Sequence, residues 1–398
     1  MKLYSIFSRV MEVRSHLKNE ERQTSRRNTF VIAVLILFSI NSYSQNNAIE
    51  ACHTYLNENG QSPGKYVASK FEQYDYVFLG EYHRNKQDVD FVTSLIPDLY
   101  KNGVRNIAYE FYAYTSQRIV DSLLIAKEWN EKFLYEELSN FSNITWGYTE
   151  YLNIFKKVWE FNQSLNPDQP KFRIVLLGYL YNPCKSGLEM FGGHDPDAFH
   201  ADILEKEVIS KQEKSLIYCG MHHAFTKYRQ PIIRRRKFYG LNDGRMGNII
   251  NRKYPEKTFT IFLHSPWDSN KGSYRQVVKP VNGAIDYLMG LFNNNPMGFD
   301  VKNTVIGTLT ANNTYYAIGY DNFKLEDFCD GYVFLLPYKE VKFVSVESNF
   351  YDENSLNKLR EYMKCRGYSD KQAQKITHEI AISMLTEKPE RHYGRLMK

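Results

Sequence analysis

Tyr76-Val77-Phe78-Leu79-Gly80-Glu81-Tyr82-His83 is the stretch whose reading decides the fold. Four apolar residues in a row, closed by a glycine, read as a strand buried on both faces, since a strand with one wet face would alternate. Outward from it, Val92, Leu95, Ile96 and Leu99 fall at i, i+3, i+4 and i+7, an amphipathic helix stopped by Asn102-Gly103. Apolar runs at 107–111, 172–177, 215–219 and 259–263 read as four more strands, with helical patterns at 197–213 and from 246 onward. Strands alternating with helices predict an α/β fold with a mainly parallel central sheet flanked by helices on both faces. Residues 115–165 read as a helical insertion or cap. Residues 305–309, 315–318 and 332–336 read as further strands, and 353–386 as two helices within a C-terminal helical region, 350–398. No repeat or linker is visible, so 45–398 reads as one domain.

The amino terminus reads as an address. Arg26-Arg27 precede an apolar run of eleven residues, 30–40, which is about half the length needed to cross a bilayer. Ser42-Tyr43-Ser44 supplies small residues for cleavage, so 1–44 is expected to be a signal peptide and the mature protein to be periplasmic or secreted. The leader holds seven Lys and Arg against three Asp and Glu, which leaves 44 against 42 in the remainder. A nearly neutral body excludes a nucleic-acid partner on electrostatic grounds and predicts no stable membrane span after cleavage. Hydrophobic residues at 43% and charged residues at 24% exclude a disordered chain. Five widely spaced cysteines without a CxxC exclude a disulfide scaffold or zinc ribbon; one or two bridges are compatible with them.

In open α/β sheets, ligands bind past the carboxyl ends of the strands. Glu81 and His83 stand after the first strand, Glu110 at the end of the second, His222 and His223 after the fourth, and His264 after the fifth. The chain has only ten histidines, so this concentration at one edge marks Glu81, His83, Glu110 and His223 as a candidate site, with His222 and His264 as possible additions. Taken singly, each has a structural explanation: a helix-start carboxylate for Glu81, a buried ion pair for Glu110, core or loop roles for the histidines. His194, Asp195 and His200 read as a solvated loop, the alternative being a lid over the site, and Arg234-Arg235-Arg236-Lys237 as a solvated basic run. No nucleophile elbow, HExxH, Walker loop or GxGxxG is present.

The segments Val77–His83, Ala108-Tyr109-Glu110 and Cys219-Gly220-Met221-His222-His223 resemble the erythromycin-esterase-like branch of the superfamily that also holds ChaN-type haem-binding and Tiki/TraB-type proteins. Asp330-Gly331-Tyr332-Val333-Phe334 resembles its closing strand, and the resemblance covers roughly residues 70–340. It implies a hydrolase for an ester, lactone or similar acyl bond of a small-molecule or peptide substrate, with Glu81, His83, Glu110 and His223 as its site. Arg84, Gln87 and Gly220-Met221 depart from the esterase pattern. Chemically, a histidine paired with a carboxylate activates water directly. Alternatively, the same four residues ligate a divalent metal, Zn or Mn, as in a Tiki-like peptidase. The other class is a ChaN-like haem or iron carrier with Tyr or His as ligand.

Overall fold

The computed structural model describes residues 47–139, 146–180, 184–185, 195–271, 276–386 and 388–397; the expected leader and His194 lie outside them. The chain divides into two compact units, Met1–Thr54 and Tyr55–Lys398. The described part of the first, 47–54, is helical.

The second unit is built on a seven-stranded sheet. Its strands are β1 (Tyr76–Glu81), β2 (Asn106–Ala113), β3 (Arg173–Gly178), β4 (Ser215–Gly220), β7 (Thr258–Leu263), β10 (Met297–Asp300) and β11 (Gly331–Phe334). Two small hairpins lie outside it, β5 (Gln230–Arg234) with β6 (Lys237–Asn242), and β8 (Trp267–Asp268) with β9 (Val277–Val278). The sheet order is β10-β11-β7-β1-β4-β2-β3. All neighbours are parallel except β10, which runs antiparallel to β11 at the edge. All six residues of β1 are buried, as expected of a central strand covered on both faces.

On one face, Val77 and Leu79 share a core with Val92, Ile96 and Leu99 of the helix Lys86–Lys101 and with Ile154, Phe155 and Val158 of the helix Thr149–Ser164. Each such side chain contributes roughly 1.5–3 kcal/mol by leaving water. The expected insertion at 115–165 is thus helical (Gln117–Ile125, Glu131–Ser139, Thr149–Ser164), but its last helix is a structural layer of the sheet, not a cap.

The C-terminal third departs from expectation. Residues 305–309 and 315–318 contain the short 3-10 turns Ile306–Thr308 and Tyr315–Ala317 instead of strands. Their β-branched and aromatic side chains are satisfied by burial in turns: Ile306 and Tyr316 are core residues. The edge strand is instead β10, four residues containing Gly298 and Asp300, too short and too polar for its pattern to show. The terminal region 353–386 forms three helices, Glu353–Cys365, Asp370–Ala373 and His378–Leu385, because Gly367 and Ser369 break and recap the chain between the first two. The basic run at 234–237 is a hairpin turn, with Arg235 and Arg236 at φ of 48° and 63°, the two positive angles a two-residue turn requires. Among the described residues no helix is long and apolar enough to cross a membrane.

Candidate active site

The parallel register sets the site. Glu81 is level with Gly220, and Tyr109 with Tyr218, so Glu110 stands one residue beyond at the same edge. Glu81 turns inward, where it is 1% exposed. Its Oε1 accepts a hydrogen bond from the Tyr151 hydroxyl at 2.6 Å and lies 2.8 Å from His83 Nδ1, while the Tyr218 hydroxyl donates to Oε2. Tyr151 reaches it from the helix Thr149–Ser164, and accepts in turn from the Arg84 backbone N–H at 3.0 Å. Arg84 adopts φ of +75°, a left-handed turn uncommon outside glycine, which swings the chain back immediately after His83.

With Nδ1 engaged by Glu81, Nε2 is the nitrogen His83 presents to the cleft, and the side chain is 40% exposed. The ring stands edge-on to Trp146 at 5.0 Å and Phe111 at 5.7 Å. It lies directly over Gly220: a Cβ there would come within 2.5 Å of Cε1 and 2.8 Å of Nε2. Glycine is required at 220 because the imidazole occupies the space of a side chain.

A second array faces the first. Glu110 Oε2 accepts from the Gly220 backbone N–H at 2.6 Å, and Oε1 lies 3.3 Å from His223 Nε2. His223 Nδ1 donates to Asp197 Oδ1 at 2.6 Å. Asp197 sits in the first turn of the helix Pro196–Glu207, where Asp195 caps the end. It also accepts from the Met246 N–H at 2.8 Å and from the Arg245 guanidinium at 3.0 Å. Burial alone would lower the His223 pKa, but the Glu110 charge and the Asp197 bond outweigh it and raise it to about 9. Burial likewise opposes ionisation of Glu110 and Asp197, yet the facing imidazole holds both below their usual range, with Arg245 adding to the effect at Asp197. His223 is therefore an imidazolium between two carboxylates near neutral pH.

His200, one turn beyond Asp197, is 2% exposed, and neither of its ring nitrogens has a hydrogen-bond partner among the described residues. Burial, then the His223 charge, lower its pKa to about 4, so it is neutral. This residue is not in a solvated loop, as its Gly- and Asp-rich surroundings suggest; it is inside the site. His222 lies alongside, with Nε2 2.9 Å from the Tyr316 hydroxyl, and is also neutral, its pKa lowered to about 3 by burial and then by Arg245. His264 is elsewhere. β7 lies on the other side of β1, and its terminal imidazole packs against Phe334 and Tyr338, 3.0 Å from the Tyr332 hydroxyl.

Two cavities meet at Trp146 and His223. One, of about 570 Å³, has Glu110, Asp197, His200, His223 and Arg245 on its polar side. The other, of about 410 Å³, contains His83, His222, Asp268 and Tyr316. Sequence reasoning alone does not single out Asp197, Arg245, Tyr151 or Tyr218. Asp195-Pro196-Asp197 does carry a signal, a helix start that places its first turn at the sheet's ligand edge. Tyr151 and Tyr218 carry none, being aromatic residues in core elements.

Of the four expected metal ligands only His223 belongs to the one cluster of potential ligands among the described residues, Asp197, His200 and His223, whose ligand atoms lie within 4.8 Å of one another. The donors do not suit a divalent cation. Asp197 already accepts from His223, Met246 and Arg245, and a metal would have to displace a proton while facing a guanidinium.

No protein-family profile matches the chain, and no curated protein sequence matches it. Among solved structures it is similar to a succinoglycan biosynthesis protein, at 12% identity over 76% of this chain and 99% of that one, with a TM-score of 0.50. A protein from Bacillus cereus aligns at 12% identity over 75% of this chain and 99% of that one, TM-score 0.47. ChaN of Campylobacter jejuni, a protein described as binding haem cofacially, aligns at 16% identity over 52% of this chain and 89% of that one, TM-score 0.30. At such identities the likeness is one of fold alone.

Proposed function

We propose that this chain is an exported hydrolase of the erythromycin-esterase-like type, which activates water to cleave an ester, lactone or similar acyl bond. The observation that carries the reading is the pairing of His83, held by Glu81 over Gly220, with the His223 imidazolium across the same cleft. Glu81 fixes the tautomer with the proton on Nδ1, so Nε2 takes a proton from water. The water oxygen bonds to the acyl carbon, and the positive charge of His223, whose two N–H groups face Asp197 and Glu110, favours the negative charge that develops on the carbonyl oxygen. As the intermediate collapses, the acyl C–O bond breaks and the proton on His83 passes to the leaving oxygen, which restores the neutral base. The products are a carboxylic acid and an alcohol, and no covalent nucleophile is needed. The Cys184–Cys365 disulfide supports the export reading, since such bonds persist in oxidising compartments.

The reading predicts an alkaline limit. His223 acts as a cation, so kcat/KM for an activated ester falls tenfold per unit as pH rises through about 9, after subtraction of spontaneous hydrolysis. Because its folded pKa is raised, the stability it contributes is complete below the ordinary histidine value and is lost as pH rises from there through about 9. A His223→Gln variant loses the limb together with most of the rate. A flat profile between pH 7 and about 10.5 in the native protein would contradict its role. Gly220→Ala is expected to lower kcat/KM by about 10²-fold by pushing the His83 ring off its seat. A wild-type rate in that variant would show that the seat is unimportant.

A second reading, haem carriage in the larger cavity, draws on one observation, the buried neutral His200, both of whose nitrogens lack a partner among the described residues. Titration with haemin tests it. A one-to-one Soret shift that is abolished by His200→Ala supports carriage, and its absence rejects it.

A further inference from the structure

The larger cavity has two unlike walls. Opposite Glu110, His223 and Arg245, the helices Glu353–Cys365 and His378–Leu385 supply Leu359, Met363, Ala381, Met384 and Leu385. Leu359 and Met363 are buried, at 7% and 8% exposure, so this wall is packed and not an open groove. The cavity around His83 is the more polar of the two, with Asp268, His222, Tyr316 and His392 in its lining beside Trp146, Met221 and Phe343.

The mechanism assigns the two spaces to the two halves of a substrate. His83 must return its proton to the leaving oxygen, so the alcohol lies in the more polar cavity beside that imidazole. The acyl group then extends past His223 into the cavity walled by the C-terminal helices. We propose that these helices form an acyl-binding subsite and that the substrate is an ester of an apolar, medium-length acyl group with a polar alcohol; the inference rests on the hydrolytic reading above. About 570 Å³ lies within the range that encloses a small-molecule ligand. The Cys184–Cys365 bond fastens the wall. Cys365 ends the helix Glu353–Cys365, and Cys184 lies six residues beyond β3, whose terminal Gly178 also lines the cavity.

The test is a series of 4-nitrophenyl esters from acetate to decanoate, assayed with the native protein and with Met363→Trp, which fills the subsite. Met384→Glu is a second variant at a half-exposed position, where substitution spares the core. Native kcat/KM is expected to rise at least tenfold from acetate to octanoate. Both variants should lose that gain, the ratio of octanoate to acetate kcat/KM falling at least tenfold. Cys365→Ser should raise KM for octanoate selectively. Chain-length-independent kcat/KM, or variants that lower acetate and octanoate turnover equally, would overturn the subsite. Equilibrium dialysis of decanoate, a product of the series, separates the two claims. Decanoate binding that is weakened in Met363→Trp without any ester turnover retains the subsite and rejects the hydrolase. Turnover without decanoate binding or chain-length preference does the reverse.

Discussion

Replacing His83 by Ala is expected to lower kcat/KM for ester hydrolysis by about 10³-fold, the middle of the range for loss of a general base. The fold should be unchanged, because the side chain is 40% exposed and its packing partners, Trp146 and Phe111, also contact each other at 4.6 Å. Near-wild-type far-ultraviolet circular dichroism and melting temperature would confirm that chemistry alone was lost. Glu81→Gln is the informative companion. It keeps the volume but removes one acceptor oxygen from three donors, Tyr151, Tyr218 and His83. It should therefore cost both rate, through the wrong imidazole tautomer, and about 1–3 kcal/mol of stability through an unsatisfied buried donor. A His83→Ala variant that retained full turnover would remove the base from the mechanism.

The second large effect is on stability. Asp197 is the common anion of His223 and Arg245, with a side chain 4% exposed. Asp197→Ala leaves two largely buried cations facing each other, at a cost of about 3–5 kcal/mol. A fall in melting temperature of roughly 5–15 °C is expected. The same substitution removes one of the two carboxylates that raise the His223 pKa, so the alkaline limb should move down from about 9 by roughly one to two units. Asp197→Asn preserves an acceptor for the Met246 N–H and should recover part of the stability but not the position of the limb. A purely structural aspartate would show the melting effect alone, with the pH profile unmoved.

The central strands and the edge they share are legible in the sequence because local and global preferences agree there. Each of the strands β1, β2, β3, β4 and β7 is a compact apolar run, and the polar residues after β1, β2 and β4, each explicable alone, stand out by gathering at one edge. The pairing of Glu81 with His83 and of Glu110 with His223 follows from parallel order plus register. His264 shows where that reasoning stops. Its position past a strand is equivalent, but β7 lies on the far side of β1, and strand order is not written in any local pattern. The helix Pro196–Glu207 shows the converse. His200 and Asp197 sit beside a Gly- and Asp-rich segment that resembles a solvated loop, yet a proline at the helix start and an aspartate cap turn them into the site. The apolar wall from the C-terminal helices is equally hidden, since amphipathic helices at a chain end show which face is apolar and not what it covers.

Hydrolysis of an octanoyl ester in ¹⁸O-enriched water, with protein in excess so that each site turns over once, distinguishes water from a carboxylate of the chain as the attacking group. If water held by His83 attacks the acyl carbon, the acid released in that first turnover carries one ¹⁸O and the mass of the protein is unchanged. An unlabelled acid, with the label later found on a glutamate of the chain, would mean that a carboxylate is the attacking group, and direct attack by water activated at His83 would be contradicted.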